Sequence, residues 1–123
     1  MVVAWTVLLD PDFESWLREQ ESSVRIALTA AAQSLGMFGP TLGRPRVDTL
    51  QGATLANLKE LCVQHRGAPW RVLFVFDPQR QAILLVGGNK QGHPRWYKTA
   101  IPLAERRYLR HLQTLEHEHG TTP

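Results

Sequence analysis

The chain alternates between stretches whose apolar residues follow a strand period and stretches whose apolar residues follow a helix period. Residues 2–9 are rich in β-branched and aromatic side chains, which predicts a first strand. Asp10 or Asp12 can cap the helix that follows, with Pro11 in its first turn. The next apolar residues share one helical face, namely Phe13, Trp16 and Leu17.

A second helix is predicted over residues 22–35, with Gly36 as its stop signal. Its apolar stripe consists of Val24, Ala27, Leu28, Ala31 and Leu35. Residues 39–45 hold too much glycine and proline for a regular element, so they predict a surface loop.

Three further strands are predicted over residues 55–64, 70–76 and 81–86. The last two are apolar almost throughout, as in central strands that are covered on both faces. Short connections at residues 65–68 and 77–80 favour an antiparallel meander.

A last helix is predicted over residues 103–118, with Pro102 in its first turn. The order β-α-α-β-β-β-α predicts a single α+β domain over residues 1–123, with helices packed on a twisted, mostly antiparallel four-stranded sheet. No apolar stretch approaches the roughly 20 residues needed to cross a bilayer, and the amino-terminal run does not resemble a secretory signal. Together with a single cysteine, this favours a cytoplasmic protein without a membrane partner.

The net charge of +3 conceals a strong asymmetry along the chain. Residues 1–38 hold two basic and five acidic side chains, whereas residues 39–110 hold twelve basic and four acidic ones. Such a local excess attracts phosphate groups or an acidic protein partner. A merely solvated basic face is the alternative.

Cations and aromatic residues occur together on the predicted meander and just past its end. They are Lys59, Arg66, Arg71, Lys90, Arg95, Trp96, Tyr97 and Lys98. Cations neutralise phosphates and aromatic rings stack on unpaired bases, so this set is typical of an RNA-binding surface. The alternative is that Trp96 packs under the last helix while the cations are solvated. Arg71 stands out because a charge inside an apolar strand needs a partner or a function.

Other kinds of chemistry are weakly represented. His117 and His119 are two residues apart, which directs them to different sides of a helix, and we predict neither a metal site nor a cofactor. Cys62 lies in a predicted strand, where a small buried side chain is the usual interpretation. The run Gly87-Gly88-Asn89-Lys90 lacks the full spacing of a phosphate-binding loop.

Four segments together resemble the HigB-like branch of the RelE/ParE toxin superfamily. They are residues 58–61 (LKEL), 70–74 (WRVLF), 83–90 (ILLVGGNK) and 96–98 (WYK), within a resemblance that is clearest over residues 44–115. The resemblance implies a small α+β toxin of a type II toxin-antitoxin module that cuts mRNA, usually in the ribosomal A site. It also implies silencing by a cognate antitoxin with a helix-turn-helix domain, and contact with operator DNA only through that antitoxin complex.

The resemblance also assigns roles by position. Arg71 matches an arginine that contacts the scissile phosphate, Lys59 a strand cation, Lys90 a basic residue after the last strand, and Tyr97 a tyrosine that stacks on RNA or assists proton transfer. Metal-independent cleavage needs a base for the 2′-hydroxyl, cations for the phosphorane charge and an acid for the 5′-oxygen. Arg71 and Lys90 would stabilise charge, while Lys59 or Tyr97 would transfer protons, with His93 as a further acid or base. Arg66, Arg95, Trp96 and Lys98 would bind RNA.

One position departs from the family pattern. The relatives that the chain resembles commonly have arginine after the Lys-Glu-Leu run, where this sequence has Cys62. Losing that cation would cost a few kcal/mol of transition-state stabilisation, so we expect an attenuated endoribonuclease. Two alternatives stay open: a ParE-like toxin that poisons gyrase, and a toxin-derived binding protein without catalysis. The retained cations and tyrosine favour RNA cleavage over the gyrase mode.

Overall fold

The computed structural model describes residues 4–51, 53, 54 and 57–120, with side chains described as far as residue 117. Five strands and three α-helices are formed in this part of the chain, with a 3₁₀ turn at Gly39–Thr41. In chain order they are β1 (Thr6–Leu9), α1 (Pro11–Arg18), α2 (Ser22–Phe38), β2 (Val47–Thr49), β3 (Lys59–His65), β4 (Ala68–Phe76), β5 (Gln81–Asn89) and α3 (Trp96–Gly120).

The strands form one sheet in the order β1-β5-β4-β3-β2. β1 runs parallel to β5, and all other neighbours are antiparallel. The predicted α+β class and the β3-β4-β5 meander are therefore confirmed. The sheet has five strands rather than four, because the three residues of β2 are too few to show a period in the sequence.

Helices cover both faces of the sheet. α1 and α2 enclose one core with one side of β4 and β5, whose buried residues include Phe13, Leu28 and Phe74. α3 encloses the other, which includes Leu73 and Ala104. This arrangement explains why β4 and β5 are apolar almost throughout, as the sequence predicted.

The start of α1 agrees with the sequence prediction. The Asp10 carboxylate accepts hydrogen bonds from the backbone N–H groups of Asp12 and Phe13, at 2.9 and 3.2 Å. This N-cap supplies acceptors for donors that the helix itself cannot satisfy. Arg110 donates to the same buried carboxylate at 2.6 Å, so the cap also fixes α3 against α1.

Two predicted helix boundaries are wrong. α2 continues through Gly36 to Phe38 and ends at Gly39, whose φ of 55° is the left-handed conformation that glycine adopts readily. α3 begins at Trp96 instead of residue 103, so Pro102 lies inside the helix and not in its first turn. The first predicted strand begins at residue 2, but residues 1–3 lie outside the described part of the chain.

A β-bulge in β5 sets which side chains face α3. Leu73 pairs with Val86 and Phe74 pairs with Leu84, so Leu85 is an extra residue without a partner on β4. Arg107 of α3 donates a 2.7 Å hydrogen bond to the carbonyl of Leu85. Because of the extra residue, Gly88 and not Gly87 faces α3 at the far end of the strand.

Candidate active site

Strand register brings three polar side chains to one face of the sheet. Cys62 of β3 pairs with Arg71 of β4, and Arg71 pairs on its other side with Gly88 of β5. Directly paired residues point to the same face, and so do residues two apart on one strand. Glu60, Cys62 and Arg71 therefore all lie on the face that α3 covers.

The first turn of α3 packs onto this surface. A Cβ atom at Gly88 would lie 2.4 Å from Trp96 Nε1, so only glycine leaves room for the indole at that point. Trp96 is half-buried, and its ring meets the Tyr97 ring edge-on at a centroid distance of 5.1 Å. The two glycines that resemble a phosphate loop are thus strand residues, and one of them seats the start of α3.

Four side chains form a continuous polar group at this point, which we call the Glu60 cluster: Glu60, Arg71, Lys90 and Tyr97. The Tyr97 hydroxyl donates a 2.6 Å hydrogen bond to Glu60 Oε2 and accepts one of 3.2 Å from Lys90 Nζ. Arg71 Nε lies 4.0 Å from Glu60 Oε1. The Arg71 and Glu60 side chains are 14% and 12% exposed, so the cluster is largely shielded from solvent.

The Arg71 guanidinium is not fully satisfied by this group. One of its terminal nitrogens donates to the Trp70 carbonyl at 2.9 Å. Its Nε–H is buried and has no hydrogen-bond partner among the described residues. A buried donor without an acceptor is costly. The cluster holds two cations against one carboxylate, so an anion is the ligand that its charge favours.

The Tyr97 hydroxyl is held in its neutral form. Burial raises its pKa, and the hydrogen bond and negative charge of Glu60 raise it further, while the Arg71 cation lowers it by a smaller amount. At neutral pH Tyr97 is therefore a proton donor and not a base. In the described geometry the proton acceptor of the cluster is Glu60.

Cys62 lies at the margin of the Glu60 cluster. Its thiol is 3.8 Å from Glu60 Oε1, and burial raises its pKa, with the nearby Arg71 cation acting in the opposite direction. A thiol held protonated in this way is a poor nucleophile. Its position opposite Arg71 is nevertheless where an arginine would add a further positive charge to the cluster.

The sequence-predicted residues divide into two groups in space. Arg71, Lys90 and Tyr97 come together as expected, whereas Lys59 pairs with Phe74 and points to the other face of the sheet, where Thr49 Oγ1 accepts a 3.1 Å hydrogen bond from it. The strand period explains the difference, because the side chain next to Glu60 along the strand must point the opposite way.

The other predicted RNA-binding cations are exposed to solvent. Arg66 is in the β3-β4 turn with a φ of 52°, Arg95 precedes α3, and Lys98 is in the first turn of α3. His93 is also exposed, in the turn after β5. Trp96 is partly packed, as the alternative interpretation of the sequence expected, and partly exposed.

Glu60 is the site residue that the sequence analysis missed. Its signal was indirect. The register that pairs Cys62 with Arg71 also places Glu60, two residues earlier on β3, on the same face of the sheet.

No group of three or more histidine, cysteine, aspartate or glutamate side chains lies close enough to bind a metal in the part of the chain that the structure describes. Within the same part, no helix has the length and apolar character needed to span a bilayer.

The amino-acid sequence is similar to a known protein family and to two curated proteins. Residues 15–109 match the family model described as "Phage derived protein Gp49-like (DUF891)". The chain is 44% identical over 115 residues to the Mycobacterium tuberculosis protein named "Putative toxin HigB3", which covers 93% of this chain and 96% of that protein. It is 38% identical over 116 residues to "Putative toxin HigB2" of the same organism, covering 93% of this chain but only 57% of that longer protein.

A solved structure matches the fold at low sequence identity. The free-state structure of a mutant of the Escherichia coli toxin RelE superposes with a TM-score of 0.58 and 15% identity, covering 80% of this chain and 96% of that one. This likeness establishes the fold.

Proposed function

Because the chain belongs to the Gp49-like family of HigB-related proteins within the RelE/ParE superfamily, we propose that it is the toxin of a type II toxin-antitoxin module. In this proposal it inhibits growth as an endoribonuclease that cleaves mRNA in the ribosomal A site without a metal ion or cofactor. The single observation that carries the proposal is the Glu60 cluster, which joins a carboxylate, a phenol and two cations within hydrogen-bond distance or close to it.

The cluster supports a balanced transesterification. Glu60 accepts the proton of the 2′-hydroxyl while the 2′-oxygen bonds to phosphorus. Arg71 stabilises the negative charge that grows on the phosphorane oxygens, and an oxygen of this kind would give the Arg71 Nε–H the acceptor that it lacks among the described residues. The bond to the 5′-oxygen breaks as that oxygen takes the Tyr97 proton.

The 2.6 Å hydrogen bond between Tyr97 and Glu60 closes the cycle. Once protonated, Glu60 returns its proton to the Tyr97 oxygen along that bond, so no external acid or base is consumed. Lys90, 3.2 Å from the same oxygen, stabilises its transient negative charge. The products are a 2′,3′-cyclic phosphate and a 5′-hydroxyl end. Lys59 has no role in this scheme because it lies on the other face of the sheet.

In this proposal the exposed cations supply affinity for RNA. Arg66, Arg95 and Lys98 would neutralise phosphates that flank the cut, and the partly exposed Trp96 would contact a base. Because each of these contacts is on the surface, we expect them to make binding dependent on salt.

The proposed partner in the cell is a cognate antitoxin with a helix-turn-helix domain, which silences the toxin and joins it to operator DNA. The site of action is then the cytoplasm, on translating ribosomes.

Cys62 supports an attenuated version of this activity. It faces Arg71 across the strand pair, at a position where the family resemblance leads us to expect arginine. Without that cation the cluster keeps Arg71 and Lys90 as its charge-stabilising groups, so we propose that cleavage is slower than in members of the family that retain arginine.

The experiment that tests the proposed function is induction of the chain in growing cells, followed by mapping of mRNA 5′ ends. We expect growth arrest with new ends in phase with codons, abolished by Arg71→Ala. Arg80→Ala is the matched control, since Arg80 lies in the distant β4-β5 turn over the Trp5 ring. Growth arrest without new mRNA ends, accompanied by gyrase-linked DNA breaks, would replace the proposal with the gyrase-poisoning alternative.

A further inference from the structure

The outward face of α2 is unusually apolar for an exposed helix surface. Ile26 and Met37 are 69% and 59% exposed, and Phe38 just beyond them is 49% exposed. Ile26, Ala30 and Met37 lie on one side of the helix, at spacings of four and seven residues. Contiguous exposed apolar residues of this kind usually mark a surface that another molecule covers.

Two grooves flank this helix face. One has a volume of about 410 Å³ and is lined by residues that include Arg25, Ile26 and Ala30. The other, of about 270 Å³, lies between α2 and β3 and is lined by residues that include Ala30, Leu42 and Arg46. Ala30 belongs to both linings, so the two grooves meet at this residue, and we call the combined surface the α2 groove.

The charges of the α2 groove are all positive in the described structure. Arg25 is the charged residue of α2, and Arg46 is the charged residue in the lining next to β3. No carboxylate lines either part of the groove. An apolar floor with a basic rim is complementary to an amphipathic helix that carries acidic residues beside its apolar side chains.

The sheet edge beside the groove is also open. β2 pairs with β3 only as far as Leu61, and the Cys62 N–H then donates to the Arg46 carbonyl at 2.7 Å. N–H groups alternate in direction along a strand, so the Gln64 N–H points outward from the same edge. Donors at an open edge offer hydrogen bonds to a segment that enters beside α2.

We propose that the α2 groove is the docking surface for the antitoxin, which inserts an amphipathic helix with acidic flanks. The inference rests on the proposed function and adds to it the place and the chemistry of the partner. A second copy of this chain is a poor occupant, because a symmetric contact through α2 would set arginines against arginines. A concave groove also suits an inserted helix better than a membrane surface, and its apolar floor does not suit RNA.

The test uses the full chain together with the product of the reading frame adjacent to its gene, expressed in the same cells. Ile26→Glu places a carboxylate in the lining of the α2 groove, and Met37→Glu places one on the same side of α2. Leu109→Glu makes the same change at a residue of α3 that is 51% exposed. We expect all three variants to inhibit growth like the wild type. The adjacent gene product should rescue the wild type and Leu109→Glu but not the two α2 variants.

Affinity measurements sharpen the test. Ile26→Ala should weaken the purified complex roughly 10- to 100-fold, which corresponds to removing one large aliphatic side chain from an interface. Arg25→Glu should reduce the affinity of the complex more at low salt than at high salt, because the lost contact is a charge pair. A photo-cross-linking residue at position 26 should capture an acidic helical segment of the adjacent gene product.

The outcomes separate the inference from the proposed function. If the adjacent gene product rescues Ile26→Glu and Met37→Glu as well as it rescues the wild type, the docking surface is wrong and the toxin assignment stands. If position 26 cross-links only to another copy of this chain, the α2 groove is a self-association surface and the inference fails. If the wild type is harmless, or is toxic but never rescued, the proposed toxin-antitoxin function fails and the inference fails with it.

Discussion

Tyr97→Phe tests the Glu60 cluster by removing a single oxygen atom. That oxygen donates a 2.6 Å hydrogen bond to Glu60 and accepts one of 3.2 Å from Lys90. Hydrogen bonds to charged groups contribute about 1.5–3 kcal/mol each, and the partial exposure of Tyr97 lowers this, so we expect a loss of about 1–2 kcal/mol in the free energy of unfolding. For a domain of this size the midpoint of thermal unfolding should fall by roughly 3–10 °C.

The effect on cleavage should be much larger than the effect on stability. Loss of a positioned proton donor slows a reaction by about 10²- to 10⁴-fold. The assay is single-turnover cleavage of mRNA on programmed ribosomes, with thermal unfolding measured in parallel. Tyr108→Phe is the matched control, since Tyr108 lies eleven residues further along α3, on the same side of the helix and away from Glu60. A Tyr97→Phe protein that cleaves as fast as Tyr108→Phe would refute the proton relay.

The pH dependence of the same phenols gives an independent check. The chain has two tyrosines, and burial raises the pKa of both, with Glu60 adding to the effect at Tyr97 and Asp77 at Tyr108. Above about pH 10 the unfolded chain releases phenolic protons that the folded chain retains, so the folded state loses stability as the pH rises through that range. Phenolate absorbance should therefore appear together with unfolding. Absorbance that rises near pH 10 in a fully folded protein would contradict the described burial.

Three further predictions follow from individual positions. Cys62→Arg should speed cleavage at least about tenfold, whereas Gln64→Arg, on the same strand face but farther from Glu60, should not; equal rates would remove the attenuation hypothesis. Gly88→Ala sets a Cβ atom 2.4 Å from the indole that packs on it and should slow cleavage, while Gly43→Ala, with nothing within 4 Å, should be silent in the same assay. Asp77→Asn should lower the free energy of unfolding by about 1–3 kcal/mol at pH 7. Denaturant unfolding should show that this difference from the wild type becomes smaller below about pH 4.

The sign of the Asp77 prediction follows from its surroundings. Burial alone would raise the pKa of this carboxyl, but hydrogen bonds from His111, Gln81 and Gln79 outweigh burial and hold the pKa below its usual value. A carboxylate with a lowered pKa stabilises the folded state above the pKa of the unfolded chain, and that contribution disappears as the pH falls through the folded value. A mutant that is equally destabilised at pH 3 and pH 7 would contradict this account.

The central hairpin could be predicted from sequence because its signals are local. Two apolar runs joined by the short turn at residues 77–80 predict a pair of strands, and the structure confirms them as β4 and β5. The cap of α1 was predictable for the same reason, and the structure selects Asp10 from the two candidates, Asp10 and Asp12. The long-range features were not, because the parallel pairing of β1 with β5 and the short β2 depend on tertiary contacts that leave no period in the chain.

The candidate site shows the same division. Arg71 could be singled out because a charge inside an apolar strand is conspicuous, and Tyr97 and Lys90 could be named through the family resemblance. The position of Lys59 was misjudged, since only the register with β4 reveals that it points away from Arg71. The bulge at Leu85 was hidden as well, although it decides that Gly88 faces α3 and seats the helix that carries Tyr97.

Glu60→Gln is the change that tests the central claim most directly, because the amide keeps the shape of the side chain but cannot accept the 2′-hydroxyl proton. The measurement is the single-turnover rate of ribosome-bound mRNA cleavage by the wild type and by Glu60→Gln, with the chemistry of the new RNA ends determined. We predict 2′,3′-cyclic phosphate and 5′-hydroxyl ends for the wild type and a rate about 10²- to 10⁴-fold lower for the variant. Unchanged cleavage by a folded Glu60→Gln protein would contradict the account.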